Sequence, residues 1–588
     1  MTLVPSDSSL SSHSRPTLPA LVGVALLAAA AIAPTLPWLE FSSGSENLVV
    51  ATALEIRREG NWSMPTLQGE PRTNKPPLAA WLAALSIDDE TLGHISNPDP
   101  ARREKGFRCM ALRIRAAGIP MLVMWTLAVG ITGTMIGGRR AGVLAAAVCV
   151  SSYGFLRFSR YATTDVQLAA WVAVANALLA AAALRARIWL GLVGGAVALA
   201  MAFLSKGPVC LVQSVVPLAA FVLWRRWAQR RYGPAGGLDE PDLPPVGSLR
   251  WRAAALAGCV LFAAIALPWF ILVAARHPEV LSRWWVEVTR HGARLEQDSD
   301  WYSYISIFAM VLPWVVFFVG GLVLVVPRCV GRRGLAPPSE VPDGGRPVLA
   351  LALLAVPIFI MSFFADRAER YLLPMLGPAA ILAALSLDVF FRTVHERSPL
   401  HRLMLAIHWP IVIAAGIVFP LALSPLTAGW LDDELRWFTL GLAAAAAGAA
   451  ALLILAGMWW QRRWPAAMVL TTAAVAFIAQ AMYAHGYGTQ GEGRSDMRPL
   501  AEAVWAAAPE AEAYSFTPDS RLRQDFSIYL NRTVHRVQAI SAIAPSARPQ
   551  VLLSAHKVSG PPLEIPADWR PLASVRKDNR IWSVHVRP

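Results

Sequence analysis

The chain has 588 residues, of which 55% are hydrophobic and only 16% are charged. Water-soluble proteins carry roughly 25% charged residues, so this composition excludes an ordinary soluble enzyme and indicates an integral membrane protein. The net charge of +14 would be compatible with nucleic-acid binding. Most of the arginines, however, lie in short loops between apolar runs, which is typical of cytoplasmic loops of membrane proteins. The five cysteines form neither a zinc motif nor a disulfide framework.

A polar N-terminal segment is followed by an apolar stretch from Ala20 to Pro37. No clear A-x-A cleavage site follows it, so a retained first helix is favoured over a signal peptide. A bilayer-spanning helix needs about 20 apolar residues, and about thirteen runs meet this requirement. They are 19–38, 116–137, 139–157, 164–184, 188–204, 208–224, 252–275, 303–326, 348–365, 371–391, 404–424, 437–459 and 465–483. The runs on either side of Ser205–Pro208 can also form one kinked helix.

Arginines concentrate in every second loop between these runs, whereas the short loop Asp432–Glu434 on the opposite side is acidic. Positively charged loops stay in the cytoplasm, so the N-terminus is predicted to be cytoplasmic and the C-terminus extracytoplasmic. The predicted organisation is a cytoplasmic N-terminus (1–18), a transmembrane domain (19–485) with an extracytoplasmic loop (39–115), and an extracytoplasmic C-terminal domain (486–588).

The C-terminal segment is less apolar than the rest of the chain and carries a helical pattern at Leu500–Ala508. Five short strands are also predicted: Ala513–Phe516, Phe526–Leu530, Val534–Ile540, Val551–Ser554 and Ile581–Val586. A segment of this size can bury a modest core, but it contains no obvious catalytic constellation. The predicted fold class is therefore an all-α polytopic membrane protein with a small C-terminal α/β domain.

The first outer loop contains most of the unusual polar residues. Glu46 precedes a helical stretch, Leu48–Arg58, and Lys75 lies just before two prolines that favour the start of a helix. This helix would lie at the membrane surface, because its apolar residues fall on one face. Lys75 would then bind an anion together with the helix N-terminus, or it would merely extend to the membrane interface.

An ordered series of motifs resembles the membrane glycosyltransferases of the GT-C fold. The nearest branch contains the lipid A aminoarabinose transferases, which are related to protein O-mannosyltransferases. The motifs are Glu46, Gly60-Asn61-Trp62, Lys75-Pro76-Pro77, Arg160-Tyr161-Ala162-Thr163-Thr164-Asp165, Ser205-Lys206-Gly207-Pro208, Leu267-Pro268-Trp269-Phe270, Leu312-Pro313-Trp314 and Arg370-Tyr371-Leu372-Leu373-Pro374. They cover roughly residues 20–400. The resemblance implies a bacterial inner-membrane enzyme that moves a sugar from a polyprenyl-phosphate donor to a lipid or protein acceptor on the outer face.

Two carboxylates, Glu46 and Asp165, are candidates for the catalytic groups. Such a reaction needs a base for the acceptor hydroxyl or a group that stabilises positive charge at the sugar. Asp165 lies at the outer start of the fourth span, where a charge is usually functional, and the family places an aspartate there. The alternative is that Asp165 only pairs with Arg160 and anchors the helix.

Three cations are candidates for binding the donor phosphate. Lys75 and Lys206 each precede a proline-containing turn, and either lysine can instead be an interface anchor. Arg370 is favoured over Arg367, because it belongs to the motif that continues with Tyr371, and arginine binds phosphate oxygens through two donors. Tyr371 is predicted to support this site.

The chain departs from the family at positions that bear on catalysis. Ser45 stands where the family usually has an aspartate, and Asn74 stands where it often has a glutamate. In aminoarabinose transferases a histidine follows the acid of the loop after the seventh span and helps to bind a metal. Here Val288 follows Glu287, and His291 lies one turn away. The resemblance thus implies that a divalent metal is possible, but its usual ligands are not all matched.

The same outer loop carries two tryptophans, Trp284 and Trp285. They suggest either a lid over the lipid carrier or an aromatic belt at the membrane interface, and the belt is favoured. Two other functions remain open. One is a transporter or flippase of lipid-linked sugars, which the absence of an internal repeat disfavours. The other is a relative that has lost catalysis, since Ser45 cannot act as a carboxylate base.

Overall fold

The computed structural model is mostly helical and ends in a small mixed sheet. The described residues are 18–41, 44–232, 248–289, 303–329, 345–364, 367–393, 398–423, 464–489, 495, 497–517, 523–577 and 579–588. The acidic loop Asp432–Glu434 and the span predicted at 437–459 lie outside them.

The apolar part of the chain forms the following helices, in order. They are α1 (Leu18–Ile32), α2 (Gly44–Glu59), α3 (Leu78–Ser86), α4 (Asp89–Ile95), α5 (Pro100–Ala116), α6 (Ile119–Val150), α7 (Tyr153–Phe158), α8 (Thr164–Arg185), α9 (Gly195–Lys206), α10 (Val209–Tyr232), α11 (Leu249–Arg276), α12 (Val280–Thr289), α13 (Ser306–Met310), α14 (Val315–Cys329), α15 (Arg346–Met361), α16 (Leu373–Thr393), α17 (Pro399–Leu423) and α18 (Trp464–Thr489).

Within the described ranges, six helices are long and apolar enough to cross a membrane, and four shorter apolar helices accompany them. The predicted polytopic, mostly helical architecture is therefore confirmed, while the full number of spans stays a prediction. The span predicted at 303–326 is broken, because Ser303–Met310 and Val315–Cys329 meet at 110°. Pro313 lies in the connection and has no amide hydrogen with which to continue a helix.

Two glycines with positive φ separate consecutive helices where the sequence predicted turns. Gly138 (φ +87°) interrupts α6 between the spans predicted at 116–137 and 139–157. Gly207 (φ +81°) ends α9 before α10 begins at Val209. Glycine adopts this backbone conformation without the steric cost that a side chain would add. The two runs around Ser205–Pro208 are therefore separate helices rather than one kinked helix.

The C-terminal segment forms a mixed α/β unit. Helices α19 (Arg498–Ala507) and α20 (Gln524–Leu530) accompany strands β3 (Glu512–Phe516), β4 (Val534–Arg536), β5 (Gln550–Lys557), β6 (Arg570–Lys577) and β7 (Arg580–Arg587). The strand order is β4-β3-β5-β7-β6, and β3 runs parallel to both of its neighbours. The small two-stranded ribbon of β1 (Thr66–Leu67) and β2 (Glu70–Pro71) belongs to the first loop.

One strand prediction in this unit is wrong, and one strand was missed. Phe526–Leu530, predicted as a strand, forms the buried helix α20, since Phe526, Ile528 and Leu530 all find apolar neighbours in the shared core. Strand β6 was not predicted, and all of its residues are exposed or only partly buried, so it carries no continuous apolar run. A short apolar run alone does not distinguish a strand from a buried helix.

The first loop and the C-terminal unit share one hydrophobic core. Side chains of α2, α3 and α5 pack in the same cluster as those of α19, α20 and the sheet. Phe107 lies edge-on to Tyr529 at 4.9 Å, and the Phe41 amide donates to the Tyr529 hydroxyl over 3.0 Å. Around them, Arg498 pairs with Glu40 at 2.7 Å and also with Glu104. The two segments that the sequence separates thus pack as one body.

In the transmembrane core, α14 and α16 approach each other backbone to backbone. A Cβ at Gly321 would lie 2.2 Å from the Leu382 carbonyl oxygen. We expect Gly321→Ala to lower the stability by about 1–3 kcal/mol, because this overlap can be relieved only by moving the helices apart. Thermal unfolding in detergent measures the effect. Gly23→Ala is the matched control, because a Cβ there meets nothing within 4 Å. Equal unfolding temperatures for both variants would contradict the close packing.

Candidate active site

A cavity of about 390 Å³ lies where the first loop meets helices α8 to α12. Its wall is mostly aromatic and aliphatic, and its charged groups come from the first loop and the end of α9. The lining residues are Thr73, Asn74, Lys75, Pro76, Leu168, Phe203, Lys206, Gly207, Pro208, Val209, Val212, Gln213, Trp269, Phe270, Trp284, Tyr304, Met361, Phe364 and Tyr371.

Asp165 is 3% exposed and lies in the first turn of α8. The hydroxyl of Thr163 caps this helix by accepting from the Val166 amide at 3.4 Å. The Asp165 carboxylate forms a short ion pair with Lys206 and lies 3.7 Å from Nε of Arg370. A buried carboxylate is costly unless it is paired in this way.

Arg160, the other partner considered for Asp165, points elsewhere. Its guanidinium donates to the Thr35 hydroxyl over 2.7 Å and to the Gln480 carbonyl over 3.2 Å. Asp165 is therefore paired with cations of the cavity region rather than with the neighbouring arginine of its own loop.

Lys206 is the last residue of α9, and the positive φ of Gly207 turns the chain immediately after it. Its ammonium lies 4.0 Å from the centre of the Tyr371 ring, a cation–π distance. Lys75 lines the same cavity and is close enough for its positive charge to act on that of Lys206. Two like charges at one cavity favour an anionic ligand.

Arg370 is presented by the single turn Glu369–Leu372. The neighbouring Glu369 pairs with Arg157 at 2.7 Å rather than with Arg370. Arg370 interacts with Asp165 and with the Tyr371 ring, whose centre lies 5.3 Å from the guanidinium carbon. Arg367 donates instead to the Ser362 carbonyl over 3.0 Å. The structure thus brings Arg370 and Tyr371 to Asp165 and Lys206.

Hydrogen bonds hold the segment that carries Asn74 and Lys75 from two sides. The Arg72 guanidinium donates to the Leu48 carbonyl and to the Thr52 hydroxyl, each over 2.7 Å. Burial lowers the pKa of Arg72 to about 10, so it is still charged at neutral pH. On the other side, the Trp284 indole donates to the Thr73 carbonyl over 2.9 Å.

For Trp284 the sequence analysis favoured a place in an aromatic belt, but the structure puts this residue at the candidate site. Its ring lines the cavity and packs edge-on to Phe270 at 5.2 Å. Its neighbour Trp285 is 70% exposed, as expected for a belt residue. The two tryptophans are adjacent on α12 and therefore face different sides, a distinction that the helical period of the loop could have indicated.

Glu46 does not line the cavity. It is fully buried with Arg115, which donates to its two carboxylate oxygens over 2.9 and 2.8 Å. The same carboxylate accepts from the Ala162 amide over 2.9 Å, three residues before Asp165. Arg115, which the sequence analysis missed, is a charged residue at the edge of an apolar run and therefore needs a buried partner.

The remaining predicted site residues are less informative. Ser45 lies in the first turn of α2 and does not line the cavity. The backbone of Glu287 belongs to α12, but its side chain and residue His291 lie outside the described part of the chain. Among the described residues, no three His, Cys, Asp or Glu side chains are grouped as metal ligands. The divalent metal thus stays a prediction.

Lys75 and Lys206 line this cavity, and Asp165 and Arg370 lie beside it in the ion-pair cluster with Lys206. Together these charged groups can bind an anion attached to an apolar tail. Lys75, Lys206 and Arg370 outnumber the single carboxylate Asp165, so these groups carry an excess of positive charge. The wall beyond them is apolar, and such pockets bind hydrophobic groups while a few polar groups fix the orientation. A lipid phosphate combines both features.

Comparisons with known proteins agree with this reading. Residues 105–284 match the family model described as dolichyl-phosphate-mannose-protein mannosyltransferase. A curated relative from Pectobacterium carotovorum, an undecaprenyl phosphate-α-4-amino-4-deoxy-L-arabinose arabinosyl transferase, is 24% identical over 67% of this chain and 62% of its own length. A relative of the same name from Erwinia tasmaniensis is 28% identical over 42% of this chain and 40% of its own length. The chain thus spans less than two thirds of the relatives it matches.

The fold comparison extends over nearly the whole chain. The crystal structure of ArnT from Cupriavidus metallidurans bound to undecaprenyl phosphate superposes with a TM-score of 0.66 at 17% sequence identity, covering 97% of this chain and 98% of that one. The chain therefore has the fold of ArnT. The family model and the curated relatives confirm the predicted resemblance to the aminoarabinose transferases and protein mannosyltransferases.

Proposed function

We propose that this protein is a membrane glycosyltransferase that moves a sugar from a polyprenyl-phosphate donor to a lipid or protein acceptor. The reaction takes place at the extracytoplasmic face of the bacterial inner membrane, with the N-terminus in the cytoplasm, as the distribution of arginines between the loops favours. The observation that carries the proposal is the cluster in which Asp165 pairs with Lys206 and Arg370, beside an apolar cavity that Lys206 lines. The names of the curated relatives support undecaprenyl phosphate as the lipid carrier.

The cavity suits the head of such a donor rather than the whole molecule. Its volume of about 390 Å³ is in the range of small-molecule sites and far too small for a long polyprenyl chain. The phosphate binds between Lys75, Lys206 and Arg370, while most of the chain stays among the membrane lipids. No nucleotide-sugar site is needed, because the lipid carries the sugar.

The cations stabilise the phosphate most strongly at the transition state, where its negative charge has grown. The acceptor hydroxyl attacks the anomeric carbon, and the bond between that carbon and the phosphate oxygen breaks. The donor phosphodiester carries one negative charge, and the departing polyprenyl phosphate approaches two. Lys206 and Arg370 therefore stabilise the transition state more than the bound donor, which is the requirement for catalysis.

Asp165 is the carboxylate best placed to take the proton of the acceptor hydroxyl. Its carboxylate is paired with Lys206 and Arg370. A bound phosphate competes for the same two cations, and this competition frees the carboxylate to act as a base. Donor binding and activation of the base are thus coupled through shared ion pairs.

Glu46 serves this site indirectly in our proposal. With Arg115 it holds the Ala162 amide and hence the loop that leads into α8. Its complete burial favours such a positioning role, and the catalytic role that the sequence predicted for it stays open to the test below.

Neutralising either phosphate-binding cation is expected to weaken lipid binding. Each charged hydrogen bond contributes roughly 1.5–3 kcal/mol, so Lys206→Met or Arg370→Met should lower the affinity for undecaprenyl phosphate about 10- to 100-fold. Ligand-induced thermal stabilisation in detergent reports this affinity. Arg276→Gln is the matched control, because Arg276 is an exposed cation that does not line the cavity. Unchanged affinity in both cavity variants would refute the phosphate site.

Removing the charge of Asp165 is expected to separate binding from turnover. Asp165→Asn should lower sugar transfer by at least about 100-fold, the contribution of a typical general base. It should keep or increase the affinity for undecaprenyl phosphate, because the cations lose their internal partner. The measurements are transfer in membranes, followed by mass spectrometry of the glycolipids and glycoproteins, and binding of the purified variant. Normal transfer by this variant would exclude Asp165 as the base.

The role of Glu46 can be tested by removing its partner as well. Glu46→Gln leaves Arg115 buried and uncompensated, which should cost about 3–5 kcal/mol of stability. The double variant Glu46→Gln with Arg115→Met should regain most of the stability and part of the transfer activity if Glu46 only positions the loop. A stable double variant with no activity would instead support a catalytic Glu46. Thermal unfolding and the transfer assay distinguish these outcomes.

A further inference from the structure

Arg157 is a partly exposed arginine that the proposed reaction steps do not use. It lies on α7, does not line the cavity, and donates to the Glu369 carboxylate over 2.7 Å. Glu369 directly precedes Arg370, which pairs with Asp165. The ion pair between Arg157 and Glu369 therefore lies one residue away from a cation to which the proposed function assigns phosphate binding.

The side chain of Arg157 is held by its own helix. Its guanidinium donates to the Tyr153 hydroxyl over 3.0 Å. The guanidinium carbon lies 5.6 Å from the centre of the Tyr153 ring and 5.1 Å from that of Phe158, both cation–π distances. The helix is anchored in turn, because Phe155 is fully buried in the transmembrane core. Arg157 thus presents its charge to Glu369 from a fixed position.

The turn Glu369–Leu372, which presents Arg370, depends on contacts with other elements. It is one turn of 3₁₀ helix, whose hydrogen-bond geometry is poorer than that of an α-helix. Leu372 fixes its end, because this side chain is fully buried in the transmembrane core. Its start is fixed by the ion pair of Glu369 with Arg157. Arg370 lies between these two points of attachment.

The same ion pair joins the two segments that carry the partners of the site. Helix α7 leads through a short loop to Thr163, which caps α8, and Asp165 lies in the first turn of that helix. Arg370 reaches Asp165 from the other segment, with its Nε 3.7 Å from the carboxylate. Arg157 and Glu369 therefore form a second bridge between these segments.

The charge of Glu369 makes this bridge important for phosphate binding. A carboxylate next to Arg370 in the chain repels an incoming phosphate and offers Arg370 a competing partner. The pairing of Glu369 with Arg157 reduces both effects. The two side chains are 39% and 30% exposed, so water screens their interaction in part and the expected contribution is moderate.

We infer that Arg157 is a positioning residue of the proposed transfer reaction: it holds and neutralises Glu369, and thereby keeps Arg370 beside Asp165 and available to the donor phosphate. This inference rests on the proposed function. It adds a residue that acts through Glu369 rather than by touching the substrate. Arg157 is therefore needed only while Glu369 carries its charge.

The test compares single and double variants. Undecaprenyl phosphate is the probe, and thermal stabilisation of the whole purified chain in detergent reports its affinity. We expect Arg157→Met to lower this affinity about fivefold, the upper end for a partly exposed ion pair. Glu369→Gln alone should keep the wild-type affinity, because it removes the charge that Arg157 neutralises. Arg157→Met combined with Glu369→Gln should regain the affinity that Arg157→Met loses.

Two further substitutions separate the charge of Arg157 from its hydrogen bond. Arg157→Lys keeps the charge, so its affinity should stay within about twofold of the wild type. Arg157→Gln keeps a hydrogen-bond donor without the charge and should lose affinity as Arg157→Met does. Wild-type affinity in Arg157→Gln would overturn the inference.

A bridge that only ties the two segments together predicts another pattern. Arg157→Met and Glu369→Gln would then lower the affinity equally, and the double variant would not recover it, which would overturn the inference. A second cycle asks whether Arg157 acts through Arg370. In an Arg370→Met background, Arg157→Met should change the affinity by less than about twofold, and a full fivefold loss there would contradict the proposed role.

Arg113→Met is the matched control. Arg113 pairs with Asp88 at 2.8 Å, the two side chains are 41% and 39% exposed, and neither lines the cavity. This variant should bind undecaprenyl phosphate as the wild type does. If the wild type binds the lipid and Arg157→Met binds it equally well, the inference fails and the proposed function stands. If the wild type shows no binding, the proposed function itself fails.

Discussion

The pairing of Asp165 with Lys206 and Arg370 is the constraint on which the candidate site depends. A buried carboxylate and a largely buried lysine are each unfavourable alone, and their mutual contact compensates for the loss of water. The three residues come from the start of α8, the end of α9 and the turn before α16. Their pairing therefore ties three separate elements together at one opening, and it sets a charged rim on an otherwise apolar cavity.

A second buried pair joins this rim to the outer part of the protein. Glu46, which lies on α2, pairs with Arg115 and accepts a hydrogen bond from the Ala162 amide in the loop before α8. The same helix packs in the core that the C-terminal unit completes. The C-terminal segment thus has a physical purpose: it buries apolar faces of the first loop, which also carries Lys75 of the cavity wall.

The chemistry proposed for the site follows from the contrast between its rim and its wall. Charges act strongly where water is scarce, so a few cations suffice to hold a lipid phosphate and to favour its departure. Because the same cations pair with Asp165, the proposed base and the proposed phosphate compete for them.

Much of the candidate site could be predicted from the sequence, but its connections could not. Asp165, Lys206 and Arg370 were identified from short motifs, and the structure places them together. The sequence offered Arg160 as the partner of Asp165 because it is near in the chain, yet the partner is Lys206, 41 residues away. Trp284 and Trp285 are equivalent by composition, and only helix packing assigns one to the cavity and the other to the exterior.

The sequence by itself determined the membrane-embedded, mostly helical character of the chain, the break between helices at Gly138, and the motifs that place it near the aminoarabinose transferases. These properties depend on local hydrophobicity and on local backbone preference, which a linear pattern records. Tertiary structure alone decided that Phe526–Leu530 is a helix, that Glu46 is buried with Arg115, and that the first loop and the C-terminal unit share a core. These features depend on tertiary packing. The structure of a short apolar run and the pairing of a buried charge are decided by contacts with residues that are distant in the chain.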